Sequence, residues 1–337
     1  MYEVTPTDSL PPNAEGAAAL SLRPLPLGEL LDRAFTLYFR NIIPFSALLA
    51  VVLVPSIIVS YLQTRDILSF YITTVQHAIS SPGSTPDLSA LSSLGTSPAL
   101  TGIQFLLGLV VIPMSYGAVV VGVSRAYLGL PVTFADSYRP AMRRWLAMLI
   151  LIVLWIVLAF VAIVAITIVI LGIGLAAGAL ASVLGSSILG ALGALFILVL
   201  SLAFFGLTIM LYLTSAISFI SVVLEQIDPF RALTEAFARV FGGAAFWRGF
   251  ALAVALAGIY MGAFLVLAGG GALIAYITKT PAIYIIFVGL MQLFFVPFAV
   301  VTAAVYYYDL RIRREGFDLQ MLIERVTNLP PSSTPIA

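Results

Sequence analysis

The chain has 337 residues, of which 61% are hydrophobic and only 9% charged, with a net charge of +1 and a mean hydropathy of +1.12. A soluble chain carries about 25% charged residues, so these values exclude a water-soluble globular protein and make the bilayer the solvent. The absence of cysteine excludes disulfides, thiolate nucleophiles and Cys-ligated zinc.

Residues 1–22 hold Pro6, Pro11, Pro12, three acids and no basic residue, unlike the basic start and apolar core of a secretory signal. They are expected as a disordered cytoplasmic tail. Leu31, Ala34, Phe35 and Phe39 then fall at i, i+3, i+4 and i+8, one stripe of an amphipathic helix. It leads into the first stretch of roughly 20 apolar residues, the length that crosses about 30 Å of hydrocarbon. Such stretches lie near 42–62, 102–124, 146–170, 198–222, 249–275 and 283–307, which predicts an all-α integral membrane protein with six transmembrane helices.

Asp66 to Ser80 is expected to prolong the first span beyond the bilayer, with the only histidine, His77, as a polar surface residue. Residues 81–99, rich in Ser, Pro and Gly, read as an outer loop. After span 2, with Gln104 and Pro113, comes a second amphipathic stretch containing Tyr138, Ala141, Met142 and Leu146. Thr133 and Asp136 have capping-box spacing before it, and Pro140 is expected to kink it.

From Trp145 to Leu224 there is no Asp, Glu, Lys, Arg or His. Small residues at 174, 178, 182, 186, 190 and 194 have the spacing that lets helix backbones approach, although helix and loop both remain open for 172–194. Asp228 and Pro229 suit an N-cap and first helical position for a third amphipathic stretch, Leu233, Ala236, Phe237 and Phe241. Gly258 and Gly262 in span 5 form a further GxxxG, and span 6 carries Gln292 and Pro297.

The amphipathic stretches superpose at offsets of 107 and 202 residues, and each precedes two spans. The membrane domain, 23–326, therefore reads as three parallel pseudo-repeats, each an interfacial helix plus a transmembrane hairpin, near 24–127, 131–224 and 228–309. Fourteen of the 16 basic residues lie before span 1, between spans 2 and 3 or 4 and 5, or after span 6; Arg65 and Lys279 are the exceptions. The positive-inside rule then predicts a cell-membrane protein with both termini cytoplasmic.

Span 6 ends in Tyr306, Tyr307, Tyr308, Asp309, Leu310, Arg311, Ile312, Arg313, Arg314 and Glu315. Tyrosines suit the headgroup level, and Asp309 with Arg313 and Arg311 with Glu315 have ion-pair spacing. Tyr308, Asp309, Arg311, Arg313, Arg314 and Glu315 are candidate docking or lipid-headgroup contacts. Leu319, Leu322, Ile323 and Val326 predict a last amphipathic helix on the cytoplasmic face, followed by a disordered tail, 327–337.

Residues 306–324, YYYDLRIRREGFDLQMLIE, and residues 23–41, RPLPLGELLDRAFTLYFRN, resemble the glycerophosphoryl diester phosphodiesterase membrane domain family of bacteria and archaea. The resemblance covers roughly 22–326. It implies a membrane component of glycerophosphodiester metabolism, in a family where such a domain is also fused to a soluble metal-dependent phosphodiesterase. That chemistry resembles a two-histidine, carboxylate-bound metal mechanism and is not expected here, because the one histidine, His77, lies outside the predicted spans. The spans themselves hold no paired carboxylates, no nucleophile beside a base and no buried group for proton coupling.

The expectation is a non-enzymatic scaffold or accessory subunit without a cofactor or metal. It would hold membrane lipid or a protein partner at the cytoplasmic face, with no nucleic-acid partner. The alternative is a facilitative transporter or channel for a small or lipid-like solute, with Gln104 and Gln292 as a candidate polar path.

Overall fold

The computed structural model describes residues 25–81, 97–127, 129–184 and 187–315. Among them there is no strand, and six helices are long and apolar enough to cross a membrane. The first is α2 (Ile42–Ser80); the second joins α3 (Pro98–Leu106), a π-helical turn (Leu107–Val111) and α4 (Ile112–Tyr127). The others are α6 (Trp145–Leu184), α7 (Ser187–Leu224), α9 (Ala244–Thr278) and α10 (Pro281–Glu315). Three amphipathic helices precede them in pairs: α1 (Leu27–Arg40), α5 (Phe134–Arg143) and α8 (Pro229–Phe241).

The helices outrun the predicted spans. With 40 residues, α6 is about 60 Å long, twice the hydrocarbon thickness. Its continuation through 171–184 has no proline or charge to stop it, and Ala and Leu are strong helix formers. The small-residue segment is thus helical on both sides of residues 185–186, which lie outside the described set. The α6–α7 seam is made by Gly174, Ala177 and Ala181 against Ile197, Gly193 and Gly190, while Gly178 meets nothing. Asp66 to Ser80 extends α2 as expected.

Local signals start and bend the helices as the sequence predicts, with one exception. The Asp136 N–H donates to Thr133 Oγ1, and the Arg231 N–H to Asp228 with Pro229 in the first turn. Helix α5 runs through Pro140 and stops three residues later. The proline effect appears instead at Pro113: lacking an N–H, it frees a carbonyl one turn back, and the preceding turn widens so that the Ile112 N–H donates to Leu107 O. Such π turns absorb a residue inside a helix.

Packing is uneven along the membrane axis. The largest fully buried side chains include Leu30, Phe45, Met148, Ile220, Tyr306 and Tyr307, all near the end that carries α1, α5 and α8. Helices α2, α4 and α10 form the centre, with α1 against α10, α5 against α4 and α8 against α7. The α6–α7 hairpin is peripheral, since only 6% of the most apolar window in each helix is buried. The amphipathic helices bury Ala34, Ala141 and Ala236, and one turn earlier Leu30, Ser137 and Ala232. The buried stripe lies to one side of the predicted one, for Phe39, Met142 and Leu146 are exposed.

Candidate functional site

Helix α10 runs through the middle of the packed end, so residues successive along it, about 100° apart, face different neighbours. The Tyr306 hydroxyl donates to Ala245 O on α9 at 3.2 Å, and Tyr307 donates to Glu225 just beyond α7. Tyr308 donates to Ser124 Oγ on α4 at 3.1 Å and stacks on Tyr127, ring centroids 4.9 Å apart. Asp309 turns to the start of the described chain.

Asp309 is 1% exposed. Its Oδ1 accepts the Leu25 N–H at 2.8 Å and its Oδ2 accepts Arg248 Nη2 at 2.9 Å. Arg313 Nε, one turn on, donates to both oxygens at 3.1 and 3.0 Å, the predicted i, i+4 pair. The two guanidiniums also donate to Leu25 O, Arg248 at 2.7 Å and Arg313 at 2.9 Å. Both backbone groups of Leu25 are satisfied, and a carboxylate that would be costly alone is held by two cations.

A second cluster forms where α7 ends. Glu225 pairs with Arg239 of α8 through both oxygens, at 2.6 and 3.2 Å, and accepts the Tyr307 hydroxyl. Arg239 also reaches Ser221 Oγ at 2.9 Å and Glu235 at 3.2 Å. The guanidinium carbons of Arg239 and Arg311 lie 5.7 and 5.9 Å from the Tyr307 ring centre. Burial pushes the Glu225 carboxyl up, but hydrogen bonds from Arg239 and Tyr307, with the charges of Arg239 and Arg311, outweigh it and hold the group below its ordinary value.

Arg314 completes the set by donating to Ala238 O at 2.5 Å and to Gly242 O. These carbonyls close α8, so a cation meets the negative end of a helix. Of the predicted docking residues, Tyr308, Asp309, Arg313 and Arg314 are therefore engaged within the chain, and Arg311 faces Tyr307. The Glu315 side chain and the predicted helix through Leu319, Leu322, Ile323 and Val326 lie outside the described residues, as do both predicted tails.

Glu225 and Arg239, which sequence reasoning missed, are the polar partners of this motif. Their signal was the charge that ends the long apolar run and the Arg one turn after Glu235 on α8. Of the predicted path, Gln104 Oε1 is buried with no hydrogen-bond partner, and Gln292 is half-buried. Neither lines the cavity of about 420 Å³ at the opposite end, between Leu68, Tyr71 and Val75 of α2 and Ala275, Tyr276 and Tyr284 of α9 and α10.

Comparison with models of known protein families, with curated proteins and with solved structures gives no match.

Proposed function

We propose that this multi-pass membrane protein is a non-enzymatic scaffold whose packed end, facing the cytoplasm, holds anionic lipid headgroups. The observation that carries this reading is the set Arg40 on α1 and Arg139 and Arg143 on α5, which are exposed and have no ion pair among the described residues. Beside them stand exposed Phe39, Ile43, Phe134, Met142 and Trp145. Cations flanked by apolar side chains suit a membrane surface, where each Arg near an anionic leaflet contributes about 1 kcal/mol. The candidate contacts thus move from the α10 motif, which is occupied internally, to α1 and α5.

The three amphipathic helices, with the hairpins behind them, are read as parallel repeats. Matching burial at Ala34, Ala141 and Ala236 supports this. The likeness of residues 23–41 and 306–324 to the glycerophosphoryl diester phosphodiesterase membrane domain family is the reason to consider a role beside glycerophosphodiester metabolism. The reading is tested by native mass spectrometry of protein from mixed phosphatidylglycerol and phosphatidylcholine micelles. Retained phosphatidylglycerol should fall at least tenfold in Arg40→Gln/Arg139→Gln/Arg143→Gln, and equal retention of both lipids by the native chain would overturn it.

A further inference from the structure

At the end opposite the packed one, α2, α9 and α10 outrun the hydrocarbon. Leu68 and Val75 lie 26 and 33 residues after Ile42, which opens α2, and Tyr276 lies 32 after Ala244, which opens α9. At 1.5 Å per residue these are roughly 39 to 50 Å along the helices, beyond a hydrocarbon core of about 30 Å.

Closer to the packed end the three helices touch. A Cβ added at Gly289 of α10 would lie 2.5 Å from Ile57 of α2, and one at Gly271 of α9 would lie 2.7 Å from Phe287 of α10. Past these contacts the walls part around the cavity of about 420 Å³, where Leu68, Tyr71, Ile72 and Val75 stand on one side and Ala272 and Ala275 on the other. The two alanines are too short to fill the gap. The Gln76 side-chain amide reaches Tyr276 O at 3.5 Å and ties the walls together.

No charged side chain lines this cavity, which Tyr276, Pro281 and Tyr284 complete. An apolar hollow held above the hydrocarbon meets water, and such surface marks a binding site. Its volume is at the small end of the roughly 300 to 1,000 Å³ of ligand pockets and suits one acyl chain rather than two. Charge then selects the head of that ligand. Of the two basic residues at this end, Arg65 pairs with Asp66 at 3.5 Å, whereas Lys279 is exposed and has no ion pair among the described residues. Lys279 stands in the turn between the lining residues Tyr276 and Pro281, and its backbone N–H donates to O of a third, Ala275. An unpaired cation beside an apolar cleft complements an anionic head on an apolar tail.

We propose that the cleft between α2 and the α9–α10 hairpin binds a long-chain fatty acid, its tail in the cavity and its carboxylate at Lys279. This site is separate from the headgroup surface on α1 and α5, and either can stand without the other.

The test uses the full chain in phosphatidylcholine nanodiscs, with palmitate carrying a diazirine on its chain as probe. Crosslinks should concentrate on peptides spanning 68–75 and 272–284, well above those on the lipid-exposed helix α6. Ala272→Phe, an exposed position on the cavity wall, should lower this labelling at least tenfold by filling the space. Lys279→Gln should weaken competition by unlabelled palmitate about threefold, the scale of one exposed ion pair, and leave competition by hexadecanol unchanged. Labelling that is no stronger than on α6, that survives Ala272→Phe, or that palmitate and hexadecanol displace equally from the native chain would overturn the proposal. So would disulfide pairing of two Val75→Cys copies, since the cleft would then be filled by a second chain.

Discussion

The Asp309 carboxylate accepts the backbone N–H of Leu25 at 2.8 Å across 284 residues of sequence. Arg248 and Arg313 clamp the same two residues, so the entry to the first amphipathic helix, the start of α9 and the last helix meet at one carboxylate.

Asp309→Asn keeps the shape but removes the charge that two guanidiniums share. Breaking a buried pair from one side costs about 3 to 5 kcal/mol, and because Arg248 and Arg313 are partly exposed we expect the lower figure, about 3 kcal/mol. Thermal unfolding in detergent should show it, and Arg313→Gln should cost less because Arg248 remains.

Acid should loosen the Glu225 cluster. Its carboxyl is held below the ordinary value in the folded chain. The stabilisation is therefore complete above the unfolded pKa of about 4.3 and is lost as pH falls through the lower folded value. Glu225→Gln should unfold at a lower temperature than the native chain at pH 7, and the two unfolding curves should converge in strong acid. A constant difference between them at all pH values would refute the assignment.

In the peripheral hairpin, a Cβ added at Gly193 would lie 2.5 Å from Ala177 Cβ, whereas one at Gly178 would meet nothing. Gly193→Ile should cost about 1 to 3 kcal/mol, the usual penalty for overpacking. Gly178→Ile should be close to neutral in the same thermal assay.

The native chain contains no cysteine, so single replacements report orientation directly. Arg139→Cys on α5 should react with a membrane-impermeant maleimide only after cells are opened. Arg65→Cys, on the part of α2 away from the packed end, should react in intact cells. The reverse pattern would invert the assignment of the packed end to the cytoplasm.

The six spans were legible because a bilayer imposes a simple length rule on apolar runs, and Thr133 and Asp228 announced their helices because capping is local chemistry. The role of Asp309 was not legible. Its Arg313 partner is one turn away, but Leu25 and Arg248 come from distant sequence, and an acid beside several arginines looks the same on a surface as in a core. For the same reason Phe39 and Leu146 looked like buried stripe residues. An apolar face can meet protein or lipid, and periodicity does not distinguish them. The i, i+4 ladder through Gly178 was a weak guide because Gly and Ala fill every face of that segment, and only the meeting of Gly193 with Ala177 selects the seam.

The Leu25 clasp also bears on how the chain is made. During synthesis Leu25 leaves the ribosome long before Asp309 exists, an interval of roughly 15 to 60 s at 5 to 20 residues per second. Throughout that time α1 has no α10 to lie against, and Tyr38, whose hydroxyl finally donates to Phe294 O at 2.8 Å, has no acceptor there. The packed end therefore closes only when the last helix arrives, and a nascent chain halted before Asp309 would hold its early spans in the membrane without the contacts that lock them.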